Sequence, residues 1–135
     1  MTHSCERGGS LRSPAVTSSN LSKIGILNMR LSIVIPTLNE ASGIEHTVHR
    51  ALELRPFEVI VADGQSQDKT DELARSTGAI VVVSERGRGR QLNAGARAAT
   101  GDVLLFLHAD CWLEPQGTEQ IEAALRDDSV IGGAF

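Results

Sequence analysis

Four short polar stretches carry residue types that can act on a charged ligand: Thr37-Leu38-Asn39-Glu40, Asp63-Gly64-Gln65-Ser66, Ser84-Glu85-Arg86-Gly87-Arg88-Gly89-Arg90 and His108-Ala109-Asp110. Their carboxylates can serve a divalent ion, and Arg86, Arg88 and Arg90 present planar forks of donors suited to phosphate oxygens. The interspersed glycines let backbone approach a ligand closely. A phosphorylated small molecule fits the set. Each stretch also has a plainer reading. Asp-Gly followed by Ser is a common turn and helix cap, Gly and Arg alternate on solvated loops, Glu85 offsets part of the charge, and Asn93 is unremarkable in a helix. The chemistry depends on whether sequence-distant groups meet.

They meet if the intervening elements build one parallel sheet. Each polar stretch directly follows a short apolar, β-branched run, at 31–36, 57–62, 79–83 and 103–108. Helical patterns lie between the runs. Ser42-Gly43-Ile44-Glu45 has capping-box spacing, Ile44, Val48, Ala51 and Leu52 share one face, and Pro56 ends that helix. Ser66 suits the cap of a second helix that runs to about Thr77, with Gly78 in the left-handed position after its last turn. A third helix spans 90–100 and is closed the same way by Gly101. Ile121, Ala124 and Leu125 mark the core face of a fourth, and Val130 begins a fifth strand. Strands apolar on both faces, alternating with helices, predict an α/β, Rossmann-like fold: a parallel sheet covered by helices with right-handed crossovers. The carboxyl ends of such strands share one edge, and ligands bind in the crevice there.

The chain has 135 residues, which suits one domain. Residues 1–28, rich in Ser, Thr, Gly and Asn without periodicity, read as a disordered extension or as a start assigned too early, with Met29 the true one. Residues 29–135 then form the domain. An aromatic content of 3% with no Tyr means that Val, Ile, Leu and Ala must build the core. The formal net charge of -4 argues against a nucleic-acid surface, so any anion site is local. No apolar run approaches the ~18 residues that span a bilayer, and no transmembrane segment is expected. Cys5 and Cys111 show no CxxC or Cys/His spacing, so neither a disulfide nor a zinc site is indicated and a cytoplasmic location suits them. There is no GxxxxGKS/T loop. Gly87 to Leu92 breaks the dinucleotide GxGxxG at its last glycine and follows the third strand instead of the first, which disfavours NAD.

At the level of motifs, Ile33-Val34-Ile35-Pro36-Thr37-Leu38-Asn39-Glu40 resembles the opening of family 2 glycosyltransferases of the GT-A type. Asp63-Gly64-Gln65-Ser66-Gln67-Asp68-Lys69-Thr70 is similar to that family's DGxSxDxT turn. Gly87-Arg88-Gly89-Arg90-Gln91-Leu92-Asn93-Ala94-Gly95 resembles its glycine-basic segment leading to LNAG, and Gly101-Asp102 followed by a strand ending in His108-Ala109-Asp110 is similar to the approach to its DxD motif. The HAD form and the QLNAG context resemble the radical-SAM/selenodomain-associated transferase subgroup.

The resemblance implies a truncated GT-A nucleotide-diphospho-sugar transferase fold and metal-dependent, inverting transfer of a sugar from a nucleoside-diphosphate sugar, UDP- or GDP-linked, to an unknown acceptor. It places Thr37 and Glu40 on the nucleoside pocket, makes Asp63 an acceptor for the base, turns Arg88 or Arg90 toward the nucleotide with Asn93 and Ala109 alongside, and gives Asp110 the Mn²⁺ or Mg²⁺ ion. His108 replaces the first Asp of DxD, which removes a charge and supplies a nitrogen better suited to Mn²⁺, or else one that hydrogen-bonds ribose or water. No residue matches the family's catalytic base, which is expected beyond Phe135. Two other classes stand beside this one. A nucleotidyltransferase opens with a glycine-rich basic loop after strand one, whereas Thr37 to Glu40 contains neither Gly nor Lys; a non-catalytic nucleotide-binding remnant needs no base.

Overall fold

Leu31–Thr37 forms the first strand, β1, and its five apolar residues with Ser32 are almost wholly buried. It is followed by α1 (Ile44–Leu52), β2 (Glu58–Asp63), α2 (Thr70–Ser76), β3 (Ile80–Val83), α3 (Arg88–Ala98), β4 (Val103–Phe106) and α4 (Gln116–Ala124). This computed structural model describes residues 29–134; the expectations for 1–28 and for Phe135 lie outside the described residues. The strands form a four-stranded sheet in the order β3-β2-β1-β4, and every pairing is parallel. The predicted α/β architecture is therefore observed.

Strand β1 can be central and still carry Pro36. Its pairing with β4 ends at Val34 opposite Phe106, while the β2 register continues to Thr37 opposite Asp63. The proline lies past the last β4 bridge, where a missing N–H costs no ladder bond on that side. Alternation then divides the side chains between two faces. Ile33, Ile35, Val59 and Val61 pack with Ile44, Val48 and Ala51 of α1, Ala74 of α2, and Leu107, Cys111 and Leu113. On the other face α3 lies against Val34 so closely that a Cβ on Gly95 would stand 2.3 Å from Val34 Cγ1.

Several local expectations are corrected. Thr47, not Leu52, completes the buried face of α1, and Leu52 is 41% exposed. The Ser42 capping box does not form: the N-cap is Gly43 without a side-chain bond, and the entry turn is closed by Glu40 O, which accepts from the amides of Gly43 and Ile44. Ser66 does not cap α2. The N-cap of that helix is Lys69, without a side-chain bond, and Asp68, one residue earlier, only braces the turn, its Oδ1 accepting from the Thr70 amide at 3.0 Å and from the Thr70 hydroxyl. Gly78 takes the expected left-handed φ of 95°, but Gly101 is required for space: a Cβ there would meet Ser32 Oγ at 2.4 Å and Arg30 O at 2.5 Å. Helix α3 starts at Arg88, two residues early, after Gly87 at φ 135°. The fifth strand is absent among the described residues; 130–134 make no ladder, and Ile131 is 97% exposed beside the two glycines that follow it.

Opposite the ligand edge, Glu58 ties three segments together. Its carboxylate accepts from Ser32 Oγ at 2.6 Å and the Thr100 amide at 2.6 Å. Burial pushes its pKa up, but the bonds from Ser32 and Thr100 outweigh that and leave it below the usual range. No described helix is long and apolar enough to cross a membrane. Cys111 is buried and does not carry a free thiol.

Candidate functional site

The order β3-β2-β1-β4 puts a topological switch point between β1 and β4: the chain steps outward through β2 to β3, then α3 carries it back across the sheet. Crevices form at such points, outside the carboxyl ends of the strands. A cavity of about 330 Å³ lies here, lined by Pro36, Thr37, Leu38 and Glu40 after β1, by Arg86, Gly87, Arg88 and Gln91 around the start of α3, and by His108, Ala109 and Asp110 after β4. Three of the four polar stretches thus converge on it.

Its basic wall is the first turn of α3. That turn contains no acidic residue and instead carries Arg88 and Arg90, although cations are disfavoured at the positive end of a helix dipole. Of these two, Arg88 lines the cavity; its guanidinium lies 3.3 Å from His108 Nε2. An arginine has no lone pair to offer, so His108 accepts through Nε2. Arg90 turns away into an ion pair with Glu85 at 2.8 Å. Asn93 is exposed on α3 and is not part of the cavity lining. Arg86, which the sequence reading placed only in the general cluster, is on the lining.

The acidic wall is Glu40 and Asp110. Burial pushes the Glu40 carboxyl above the usual range, and the charges of Asp110 and Asp68 add to it. The Asp110 turn is pinned from below. The Thr47 hydroxyl of α1 donates to Ala109 O at 2.5 Å, the Cys111 amide to His108 O at 3.0 Å, and the Arg50 guanidinium lies 5.4 Å from the centre of the Trp112 ring. Among the described residues no three His, Cys, Asp or Glu side chains form a metal-binding group. The donor set fits Mg²⁺ or Mn²⁺ in one way only: such ions take one or two protein oxygens when phosphate oxygens and water supply the rest. Asp110, exposed on the cavity rim beside a second carboxyl, meets that need.

Asp63 is placed differently from its neighbours. It is 3% exposed and its oxygens already accept from the Thr37 hydroxyl at 3.1 Å, the Ser66 amide at 2.8 Å and the Ser66 hydroxyl at 2.5 Å. In this structure it braces β1 against β2 behind the cavity. Asn39 does similar work at φ 55°, its side-chain oxygen accepting from the Gln67 amide at 2.7 Å. The residue that the sequence reading missed is Gln91. It is 5% exposed, and its Nε2 donates to Thr37 O at 2.7 Å and to Ala62 O at 3.0 Å. The signal was present as a polar residue one turn before Gly95 on the buried face of α3.

Comparison with known proteins agrees with this fold. Residues 32–135 match the family described as Glycosyl transferase family 2. The dolichol-phosphate mannosyltransferase of Pyrococcus furiosus is 30% identical over 112 residues, covering 76% of this chain and 32% of that protein. Glucosyl-3-phosphoglycerate synthase from Mycobacterium tuberculosis, solved with Mn²⁺, UDP and glucosyl-3-phosphoglycerate, superposes with a TM-score of 0.59 at 28% identity, over 74% of this chain and 40% of that one. Mannosyl-3-phosphoglycerate synthase from Rubrobacter xylanophilus gives a TM-score of 0.59 at 25% identity, over 73% and 35%. This chain therefore spans well under half the length of these relatives. On its motifs, its sheet order and the match over 32–135, the chain belongs to glycosyl transferase family 2.

Proposed function

We propose that the cavity between β1 and β4 binds the nucleoside diphosphate of a nucleotide sugar, and that the chain contributes the donor-binding part of a sugar transferase. The observation that carries this reading is the pairing of two opposed walls in one crevice. The first turn of α3 presents free backbone amides and Arg88, while Asp110 and Glu40 stand across from them. Arginines at a positive helix end and carboxylates crowded together are each unfavourable when the cavity is empty. A diphosphate with its divalent ion satisfies both, the phosphate oxygens facing the helix amides and Arg88.

In this scheme Thr37, Leu38 and Glu40 line the nucleoside side. Asp63 acts on it through Thr37, whose hydroxyl it holds. Arg88 faces the phosphates, and its contact with His108 Nε2 occupies the lone pair that a metal would need, so Asp110 is the protein ligand and His108 orients the arginine. Asn93 and Arg90 serve the outer surface of α3. The ion, Mn²⁺ or Mg²⁺, supplies charge neutralisation on the departing diphosphate when bound. Mn²⁺ and UDP in the mycobacterial relative support UDP as the first nucleotide to test; GDP is the second. Transfer with inversion also needs a base beside the acceptor, and we assign that role to no residue of this chain.

Titration calorimetry with UDP and with GDP, each with and without Mn²⁺, tests the proposal on this chain and on Asp110→Ala. Binding that needs Mn²⁺ and disappears in the folded variant is the expected result. Absence of binding to folded wild-type protein refutes it.

A further inference from the structure

Gln91 is buried where the ends of β1 and β2 meet the turn into α3, and its contacts use its whole functional group. Both Nε2 protons are committed, one to the carbonyl at the end of β1, Thr37 O at 2.7 Å, and one to β2, Ala62 O at 3.0 Å. Oε1 faces the Gly87 amide at 3.4 Å, at the turn into α3. Only a carboxamide offers two donors and an acceptor in one plane, and two converging carbonyls require the nitrogen on their side. Two glycines accommodate it. A Cβ on Gly64 would stand 2.9 Å from Gln91 Cδ and Oε1, and Gly95, one turn later, lets α3 approach Val34. Thr37 O is doubly bonded, since it also accepts from the Gly64 amide at 2.9 Å.

We propose that Gln91 is a positioning residue for the donor site: its carboxamide locks the ends of β1 and β2 to the turn at Gly87 and so holds Arg86 and Arg88 over the cavity. The idea rests on the donor-site reading given above, but it makes a separate claim about the empty protein. Without the carboxamide, the turn at Gly87 loses its contact with the sheet, while the strands keep their own ladders. The arginine-bearing turn then samples other positions, and nucleotide binding must reorder it.

The test uses Gln91→Met, which keeps length and burial but removes the donors, and Gly64→Ala, which leaves Gln91 present but displaces its head group. Three quantities are measured: the melting temperature, the rate of trypsin cleavage after Arg86 and Arg88 relative to other sites in the empty protein, and the UDP dissociation constant with Mn²⁺. In both variants, cleavage after Arg86 and Arg88 should rise selectively. UDP binding should weaken about tenfold, the scale of one or two buried hydrogen bonds. Unchanged cleavage and affinity in the folded variants overturns the proposal. So does cleavage that rises equally at every site in step with a lower melting temperature, which marks a purely structural role. If one variant fails to fold, the other decides. If wild-type protein does not bind UDP, the donor reading falls, and selective cleavage still decides the role of Gln91.

Discussion

Replacing Gly95 by alanine should destabilise the protein, although Gly→Ala in the middle of an exposed helix ordinarily stabilises it by about 1 kcal/mol. Gly95 is buried on α3, and the added Cβ would lie 2.3 Å from Val34 Cγ1 and 3.4 Å from both Val34 Cβ and Cγ2. The clash is with Cγ1 alone, but a β-branched side chain is stiff at χ1, so swinging that methyl aside in a packed interior is itself costly. The backbone cannot retreat either, since Val34 is wholly buried and is paired with Ile60 on one side and Phe106 on the other. Helix α3 must move outward by about 1 Å to restore ordinary contact. Overpacking of this kind costs about 1–3 kcal/mol, and the short distance places this case near the upper end. After the propensity gain, a net loss of about 1–2 kcal/mol remains, which lowers Tm by ~5–15 °C in a domain of this size. Thermal and urea unfolding followed by circular dichroism measure it. Val34→Ala combined with Gly95→Ala should recover part of the loss relative to the sum of the two single changes. A Gly95→Ala protein as stable as wild type, or more so, would refute the close approach of α3 and with it the placement of Gln91.

Other outcomes follow from the same contacts. Arg88→Ala should weaken UDP binding about tenfold and reduce its salt dependence, whereas Arg90→Ala, which removes only the exposed pair with Glu85, should change affinity and stability by less than about 0.5 kcal/mol; equal effects of the two would contradict the orientation of α3. Thr47→Val removes the donor to Ala109 O and should lower stability by about 0.5–1.5 kcal/mol while weakening the Mn²⁺-dependent part of UDP binding, both measurable in one calorimetric series. Glu58 has a folded pKa below its ordinary value, so its stabilisation is present above the unfolded pKa and is lost as pH falls through the folded one. Glu58→Gln should therefore melt below wild type at neutral pH, with the two curves converging in acid; a gap that persists in acid would show that charge is not the cause.

The order of elements was legible because each carries its own periodicity. β-branched runs such as Ile33 to Ile35 and Val59 to Val61 cannot face water on either side, and Gly78 marks a helix end by its backbone alone. The convergence of Glu40, Arg88 and Asp110 was legible too, since parallel strands leave their carboxyl ends on one edge whatever the details of packing. Boundaries and caps were less so. Ser66 suits a cap by residue type, but its hydroxyl donates to Asp63, and α2 starts only at Thr70 with Lys69 at its N-cap.

The sequence by itself determined the strand-helix alternation, the polar edge and the family to which its motifs belong, because these depend on residue type and on spacing within one element. Tertiary structure decided which members of each polar stretch act together. Arg88 faces the cavity and Arg90 does not because α3 begins at Arg88 and approaches the sheet through Gly95. Asp63 is enclosed because β1 and β2 run in register to Thr37 and Asp63. Gln91 becomes the joint of the site only because two carbonyls from different strands converge within reach of one buried amide, a distance between elements that no local pattern records.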